Sequence, residues 1–252
     1  MCNLHNVSTN QEAIRALSRA MLDITGNLEP ELDVYPDRVA PIVRNNDGRR
    51  ELAMVRWGMP SSSKALFDAA TTRANKLRAK GKDVDFDALL KMEPDGGTTN
   101  IRNTSSKHWQ RWLGVENRCL VPVTRFAEPD PANKPEGGRT PNAWFARSEE
   151  QPLMFFAGLW IPQWESVRKV KEGLIKADLF AFLTTEPNSI VAPIHPKAMP
   201  VLLTEPDEVE MWMSAPWAEA KALQRPLVDE KLVLLPPEPV ASDRSETLQL
   251  DL

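Results

Sequence analysis

Cysteine and histidine are scarce in this 252-residue chain, which contains only Cys2, Cys119 and three histidines. Two cysteines cannot build a multiply bridged disulfide framework, and no histidine or cysteine spacing is typical of a metal site. No apolar run is long enough to cross a bilayer, and no apolar targeting segment precedes Thr9. We therefore expect a cytoplasmic protein that needs no metal or other cofactor and reaches the nucleoid only through DNA.

Two further absences concern nucleotides and nucleic acids. No glycine-rich phosphate loop is present, which argues against a nucleotide-dependent enzyme. The formal net charge is −4, so we do not expect a broadly basic surface that coats duplex DNA. Any nucleic-acid contact must therefore be local.

Proline is abundant by contrast, and the 22 prolines divide the chain into short elements. This disfavours a long helical bundle, whereas the 42% of hydrophobic residues is sufficient for a buried core. Apolar segments predict strands at 39–43, 52–57, 118–123, 144–147, 153–160, 179–185, 201–203 and 232–235. We predict one domain over residues 1–235, built on an antiparallel β core, and an acidic, disordered tail over 236–252.

The helices are predicted from capping signals and apolar spacing. Thr9 and Glu12 form a capping-box pattern that predicts a helix from about residue 10 to 24. Shorter helices are predicted near 108–113, 208–213 and 217–223.

Residues 61–97 differ from their surroundings in composition and are interpreted as an insertion with helices at 65–82 and 86–92. Its cations either contact DNA or form a solvated helix face. They are Lys64, Arg73, Lys76, Arg78, Lys80 and Lys82.

Cys2 directly follows Met1, and removal of that methionine leaves an amino-terminal cysteine. Its α-amine titrates near pH ~7.7–8.0 and its thiol near ~8.5, so both are partly available at neutral pH. The pair can condense with an aldehyde, because the amine forms a Schiff base and the thiolate then closes a five-membered thiazolidine. The alternative is that position 2 is an ordinary disordered chain end.

Polar residues beside short apolar strands are the other candidates for chemistry. They are Asn100, Arg102, Glu128 and His195. Taken singly, each is as typical of a polar turn, a solvated strand end or a buried imidazole as of an active site. A carboxyl beside apolar Phe126 and an imidazole are nevertheless suited to proton transfer near neutral pH.

In combination with Cys2, these residues resemble the SRAP family, whose members process abasic sites in DNA. The motifs that carry the resemblance are Met1-Cys2, Val39-Ala40-Pro41, Trp57-Gly58-Met59, Asn100-Ile101-Arg102, Arg118-Cys119-Leu120-Val121-Pro122 with Glu128, and Ile194-His195 with Met199-Pro200-Val201. The chain also departs from the family pattern. Asn3-Leu4-His5 replaces Gly-Arg-Phe, Pro129 replaces an aromatic residue, Thr104 replaces an acidic residue, and one extra residue separates His195 from Met199.

The resemblance implies a single α+β domain with a β-barrel-like core, peripheral helices and a groove for single-stranded DNA. It implies that Cys2 forms a cross-link, that Asn100 positions the cysteine and the opened sugar, and that Glu128 is the general acid/base. His195 would assist ring opening and proton transfer. Five cations are candidates for phosphate contacts, namely Arg102, Arg111, Arg118, Arg125 and Lys197.

Three functional hypotheses follow from these residues. The first is a monomeric abasic-site sensor that forms a thiazolidine cross-link with single-stranded DNA and shields the site. The second is an amidase or peptidase in which the Cys2 thiolate attacks a carbonyl carbon. The third is a non-catalytic single-strand-binding module in which Cys2 is incidental.

Overall fold

The computed structural model describes residues 2–28 and 32–237. In chain order its strands are β1 (Leu4–Val7), β2 (Leu22–Asp23), β3 (Leu32–Val34), β4 (Val39–Asn46), β5 (Arg49–Trp57), β6 (Asn100–Ile101), β7 (Arg118–Val123), β8 (Arg125–Pro129), β9 (Asn142–Ala146), β10 (Met154–Val167), β11 (Leu174–Thr185), β12 (Met199–Pro200), β13 (Leu202–Leu203) and β14 (Val233–Leu234). The α-helices are α1 (Gln11–Ser18), α2 (Ser63–Arg78), α3 (Phe86–Lys91), α4 (Lys107–Gln110), α5 (Pro206–Ser214) and α6 (Trp217–Ala220).

A closed barrel of β4, β5, β11, β10 and β7 forms the centre of the domain. β4 pairs with β5 and β7, and β10 pairs with β7 and β11, all antiparallel. The ring closes where β11 runs parallel to β5, with Leu179 opposite Arg56. The predicted α+β fold with a barrel-like core and peripheral helices is therefore confirmed, with one parallel pair at the closure.

A second sheet, in the order β14-β9-β8-β1-β3, completes the hydrophobic core. Because side chains alternate along a strand, each barrel strand contributes to two separate layers. The inner cluster contains inward-facing residues of the barrel and the second sheet, including Cys2, Trp57, Phe126, Phe156 and Phe182. The outer cluster joins the opposite faces of the barrel strands to the helices and includes Leu120, Phe155, Leu179 and Trp212.

The sequence Asn45-Asn46-Asp47-Gly48 is typical of a hairpin turn, and β4 and β5 are joined by such a hairpin. Asp47 and Gly48 both have positive φ, at 48° and 74°. Two consecutive residues in this region are characteristic of the tight turn whose twist matches that of the flanking strands.

The first helix is shorter than predicted. α1 begins after Asn10, whose side chain accepts a hydrogen bond from the Ala13 N–H at 2.8 Å, and so the predicted Thr9 cap is wrong by one residue. It ends at Ser18 because Arg19 adopts a left-handed φ of 56°. Within the remainder of the predicted helix, Leu22 and Asp23 form β2, which pairs with β5. Met21 and Leu22 are exposed, so a continued helix would not have buried these two apolar side chains here.

The predicted strands are confirmed, β7 with the predicted ends and the others with shifted ends. The apolar pattern predicted β10 to end at residue 160, but it pairs with β11 as far as Val167 opposite Leu174. This extension contains polar residues and an irregularity between Ile161 and Trp164, with Gln163 at a φ of 46°. Strand pairing maintains this outer ribbon together with Trp164 and Ala177, which pack against the outer cluster.

Residues 58–99 leave the barrel after β5 and return to it at β6. We call this segment the excursion, and β5 and β6 occupy the same position beside β11. β11 pairs in parallel first with Arg56 and Trp57 of β5 and then with Asn100 and Ile101 of β6. β6 therefore continues the position that β5 leaves, and the excursion contains the predicted helices α2 and α3.

Arg168 anchors the base of the excursion. Its buried guanidinium donates hydrogen bonds to the carbonyls of Gly58 and Asp95, the latter at 3.0 Å. Gly97 has a φ of 76°, and a Cβ there would lie 2.8 Å from an Arg168 nitrogen. Glycine is thus required where the excursion returns.

Most of the predicted acidic tail, residues 238–252, lies outside the described residues. Pro236 and Pro237 are the only tail positions within them.

His5 is fully buried in the inner cluster, and its ring packs edge-on against Trp57, Phe156 and Phe182 with centroid distances of 5.2, 5.5 and 6.2 Å. Neither ring nitrogen has a hydrogen-bond partner among the residues described. Burial without a partner lowers the pKa of His5 to about 3, because the charged imidazolium is excluded.

We predict that His5→Phe reduces the acid sensitivity of the fold. Since the folded pKa lies below the unfolded value of about 6.5, stability from neutral His5 is present above pH ~6.5 and is lost as pH falls toward 3. At pH 4 the difference in free energy of unfolding is on the order of 3 kcal/mol, and near pH 8 it is small. Urea unfolding of both proteins from pH 4 to 8 measures this. Parallel pH profiles would contradict the burial of a neutral imidazole.

Candidate functional site

Cys2, Asn100, Glu128 and His195 come together at one end of the inner cluster. The Asn100 Nδ2 atom donates to the Cys2 carbonyl oxygen at 3.1 Å. β1 pairs with β8, which places Cys2 close enough to Glu128 for the carboxylate to perturb the thiol. His195 in turn lies within electrostatic range of Glu128. Two strands, the segment before β1 and one loop, distant in sequence, thus converge.

The Cys2 thiol is held in its protonated form. The residue is 1% exposed, and its Sγ–H donates to the Leu4 carbonyl oxygen at 3.4 Å. Burial raises the pKa of the Cys2 thiol far above its usual value, and the neighbouring Glu128 carboxylate raises it further. At neutral pH this sulfur is therefore a thiol rather than a thiolate.

Asn100 has a fixed side chain with one unused acceptor. Its Nδ2 atom donates to the Thr99 hydroxyl at 2.8 Å as well as to Cys2, whereas its buried Oδ1 atom has no partner in the described part of the chain. The backbone at Thr99 is held by the Trp57 indole N–H, which donates to the Thr99 carbonyl at 3.0 Å. A buried amide oxygen without a donor costs free energy, so this atom is suited to receive a hydrogen bond from a ligand.

Glu128 is a buried carboxyl on the inward face of β8. It is fully buried and lies two positions after Phe126, on the same side of the strand. Burial raises the pKa of Glu128, while positive charge on His195 acts in the opposite direction. Such a group can exchange a proton closer to neutral pH than an ordinary glutamate.

His195 is positioned by a tight turn. Its backbone N–H donates to the Val191 carbonyl at 2.8 Å. The ring Nδ1 atom faces both the Ala198 N–H at 3.1 Å and the Ala198 carbonyl oxygen at 2.7 Å. The residues between His195 and Met199, including the extra one, therefore form the turn that orients the imidazole.

Two of the five predicted phosphate contacts lie beside this group. Arg102 follows β6 on the same side as Asn100, and its Nη1 atom donates to the Lys197 carbonyl at 3.1 Å. Arg102 also pairs with Glu186 at 3.5 Å, and Arg102 and Lys197 are both exposed. Their positive charge is available to solvent.

The assignment of Arg118 to DNA is wrong. Its side chain is fully buried on the outer face of β7, where it donates to the carbonyls of Leu113, Trp212 and Ala215 at 3.1, 3.0 and 2.6 Å. These three carbonyls need a buried donor, and no phosphate can reach the guanidinium.

Arg111 and Arg125 also lie away from Cys2. The Arg111 guanidinium stacks 3.8 Å from the ring centroid of Trp112, which belongs to the outer cluster. Arg125 stacks at 4.2 Å on Trp144, on the face of β8 opposite Glu128. The structure therefore does not bring either arginine to the site.

The sequence does not indicate that Trp57 and Thr99 support the site. The motifs predict only that Trp57 ends a strand, and they assign no role to Thr99, which precedes Asn100. The hydrogen bond between the Trp57 indole and the Thr99 backbone joins residues 42 positions apart, and a strand pattern carries no signal for it.

Within residues 2–28 and 32–237, no group of three or more His, Cys, Asp or Glu side chains is arranged to hold a metal ion. In the same part of the chain, every helix is too short or too polar to span a bilayer.

The SOS response associated peptidase (SRAP) family model matches residues 1–240 of this chain. The protein therefore belongs to the SRAP family, as the motifs predicted. A comparison with curated protein sequences finds no match.

Solved bacterial structures share the fold. A protein from Bordetella bronchiseptica is 21% identical, with 92% of this chain and 97% of that chain covered and a TM-score of 0.59. A protein from Bacteroides thetaiotaomicron is 22% identical, with coverages of 92% and 90% and a TM-score of 0.58. A phage-related protein from Bordetella bronchiseptica is 18% identical, with coverages of 94% and 95% and a TM-score of 0.60.

We predict that Arg118→Met destabilises the protein by about 2–4 kcal/mol, because the buried carbonyl oxygens of Leu113 and Trp212 and the partly buried one of Ala215 lose their donor. Arg102→Met serves as the matched control and changes the free energy of unfolding by less than about 0.5 kcal/mol, since this side chain is exposed. Urea unfolding of the three proteins checks both values. Equal stabilities would show that the buried arginine does not support the fold.

Proposed function

We propose that this protein forms a covalent thiazolidine cross-link between Cys2 and the aldehyde of an abasic site in single-stranded DNA, and thereby shields the site. The single observation that carries the proposal is the meeting of four residues: Asn100 bonds to the Cys2 backbone, Glu128 lies near the buried Cys2 thiol, and His195 lies near Glu128. Membership of the SRAP family supports it.

The proposed reaction begins with the α-amine that removal of Met1 exposes. An abasic sugar is mainly a closed hemiacetal, so a proton must move before the C1 aldehyde appears. The amine then adds to C1 and gives a carbinolamine, which loses water to form a Schiff base. Glu128 and His195 are the groups that move these protons.

The thiol completes the reaction. The sulfur adds to C1 of the Schiff base, the C1–S bond forms, and the thiol proton passes to the nitrogen. The product has the mass of protein plus DNA minus one water. A protonated, buried thiol fits this order, because the amine attacks first and the sulfur attacks an already activated carbon.

Asn100 would hold the reacting groups in place. Its Nδ2 atom already contacts Cys2, and its free Oδ1 atom can accept a hydrogen bond from the α-amine or from a hydroxyl of the opened sugar. Arg102 and Lys197 would bind the phosphates beside the sugar. Because the substrate lacks a base at the reacting position, no base-specific contact is needed there.

The same geometry weighs against the amidase hypothesis. That reaction starts with a thiolate, whereas burial and Glu128 both favour the thiol form of Cys2. A thioester trapped on Cys2 with an amide substrate, without any reaction toward aldehydes, would reverse this conclusion.

We predict that protein beginning at Cys2, mixed with a single-stranded oligonucleotide carrying one abasic site, gives an intact mass equal to protein plus DNA minus water. Cys2→Ala retains the α-amine but lacks the sulfur, so it gives no adduct that survives without borohydride. Cys2→Ser is the matched control, since it retains the amine and forms only a Schiff base that needs borohydride to be trapped. Absence of an adduct with a verified Cys2 terminus would refute the proposed function.

We further predict that Glu128→Gln slows cross-linking by about 10²-fold or more, the usual loss for a general acid/base. Because burial raises the pKa of Glu128, the ionised fraction falls at a higher pH than for an ordinary glutamate near 4.3. Protonation of the α-amine slows both proteins as pH falls, and the wild type should show a further decline at acidic pH, from protonation of Glu128, that the variant lacks. Single-turnover rates from pH 4.5 to 8 test this, with Glu165→Gln, an exposed glutamate of β10, as control. Identical profiles for wild type and Glu128→Gln would exclude the assigned role.

A further inference from the structure

A polar cavity of about 620 Å³ lies at the start of β4, outside the four-residue site. Its lining includes the exposed side chains of Tyr35, Arg38 and Lys169, together with the partly buried Asp37 and Arg56. None of these residues has a part in the proposed chemistry, and the family motifs do not explain their combination.

The cavity is connected to the reacting residues through one side chain. The Asp37 N–H donates to the Trp57 carbonyl at 2.9 Å, and the Trp57 N–H donates to the Arg38 carbonyl at 2.8 Å. The Trp57 indole then holds the backbone of Thr99, the neighbour of Asn100. β4 lies one strand spacing from β5, and Asn100 follows Trp57 by two positions along β11, so the cavity and the site are roughly 8–10 Å apart along the backbone.

The cavity and Arg102 lie on opposite sides of Asn100. Along β11, Arg56 is level with Leu179, Asn100 is level with Phe182, and Arg102 follows further on. A strand whose abasic sugar rests at Asn100 would thus meet Arg102 in one direction and the cavity in the other.

Positive charge exceeds negative charge in this cavity. Asp37 receives ion pairs from Arg56 at 3.3 Å, Arg168 at 3.4 Å and Lys169 at 3.5 Å. Lys169 also pairs with Glu172 at 3.2 Å, whereas Arg38 makes no ion pair with any residue that the structure describes and is the uncompensated cation of the lining. One further lining carboxylate, Asp33, accepts a hydrogen bond from Asn6 at 2.7 Å. In a chain with a net charge of −4, such a local excess of cations favours an anionic ligand.

Tyr35 adds an aromatic surface to these cations. It is the only tyrosine of the chain, and its side chain is 50% exposed. An exposed ring beside cationic side chains is the combination that binds single-stranded nucleic acid without reading its sequence, since bases stack on the ring and phosphates contact the cations.

We propose that this cavity is a subsite for a nucleotide close to the abasic one, with its base on Tyr35 and its phosphate held by Arg38, Arg56 and Lys169. The inference rests on the proposed function, because an abasic nucleotide has no base to bind. Much of the affinity for such a substrate must therefore come from its neighbours.

Binding can be measured separately from the reaction. The probe is a fluorescent single-stranded 11-mer with a central tetrahydrofuran residue, which lacks the aldehyde and cannot cross-link. The double variant Arg38→Ala/Lys169→Ala should weaken binding by about fivefold to tenfold and make the salt dependence shallower by about 0.7 for each phosphate that is no longer neutralised. Lys171→Ala is the matched control, because Lys171 is exposed two positions from Lys169 but does not line the cavity.

Two further variants separate binding from damage to the fold. Tyr35→Ala should weaken binding by about fivefold or more, whereas Tyr35→Phe retains the ring and the affinity. Asp37→Asn should tighten binding by about twofold to threefold, since it removes a competing carboxylate and asparagine tolerates the φ of 65° at this position. A gain in affinity cannot result from misfolding.

The subsite proposal is overturned if three proteins bind the probe as tightly as the wild type does. They are the double variant, Tyr35→Ala and Asp37→Asn. If the wild type cross-links but these variants bind normally, the subsite falls and the proposed function stands. If no cross-link forms but the variants shift affinity as stated, the subsite stands and the proposed reaction falls.

Discussion

The pairing of β11 with two successive partners is the constraint on which the rest of the structure depends. β11 closes the barrel against β5 and then continues against β6, which takes over the same line after the excursion of residues 58–99. Closure leaves no unpaired edge between these barrel strands, and it places Asn100 where the inner cluster reaches the surface. The amino terminus then enters this end of the barrel through β1 and the second sheet. The site is therefore a product of the same hydrogen bonds that close the core.

Burial has opposite consequences for the ionisable groups of the inner cluster. It keeps the Cys2 thiol protonated, raises the pKa of Glu128 and lowers the pKa of His5. In each case the neutral form is favoured because the charged form has lost its water. For Cys2 and Glu128 this neutrality suits a reaction that moves protons, whereas for His5 it is the consequence of placing an imidazole against three aromatic rings with no hydrogen-bond partner among the described residues.

Motif order predicted which residues lie near Cys2 better than it predicted where the surrounding cations lie. Asn100, Glu128 and His195 were assigned through motifs, and the structure brings them to Cys2. Arg118 also belongs to a motif, yet it faces the outer layer and bonds to three carbonyls. A cation in a sequence does not show which face of a strand it occupies until the register and the neighbouring layer are known. The same limitation applies to Arg111 and Arg125, and in the opposite sense to Arg38 and Lys169, which the sequence did not single out.

The sequence by itself determined the fold class, the positions of most strands, the hairpin at Asp47 and Gly48, and the family. These features are written in local patterns of hydrophobicity, turn residues and motif order. Only the tertiary structure decided that α1 stops at Ser18, that β10 and β11 continue as a polar ribbon, and that Arg118 is structural. It also decided that Tyr35, Arg38 and Lys169 share one cavity. The physical reason is that backbone pairing and layer packing join residues that are remote in the chain, and local patterns do not encode such contacts.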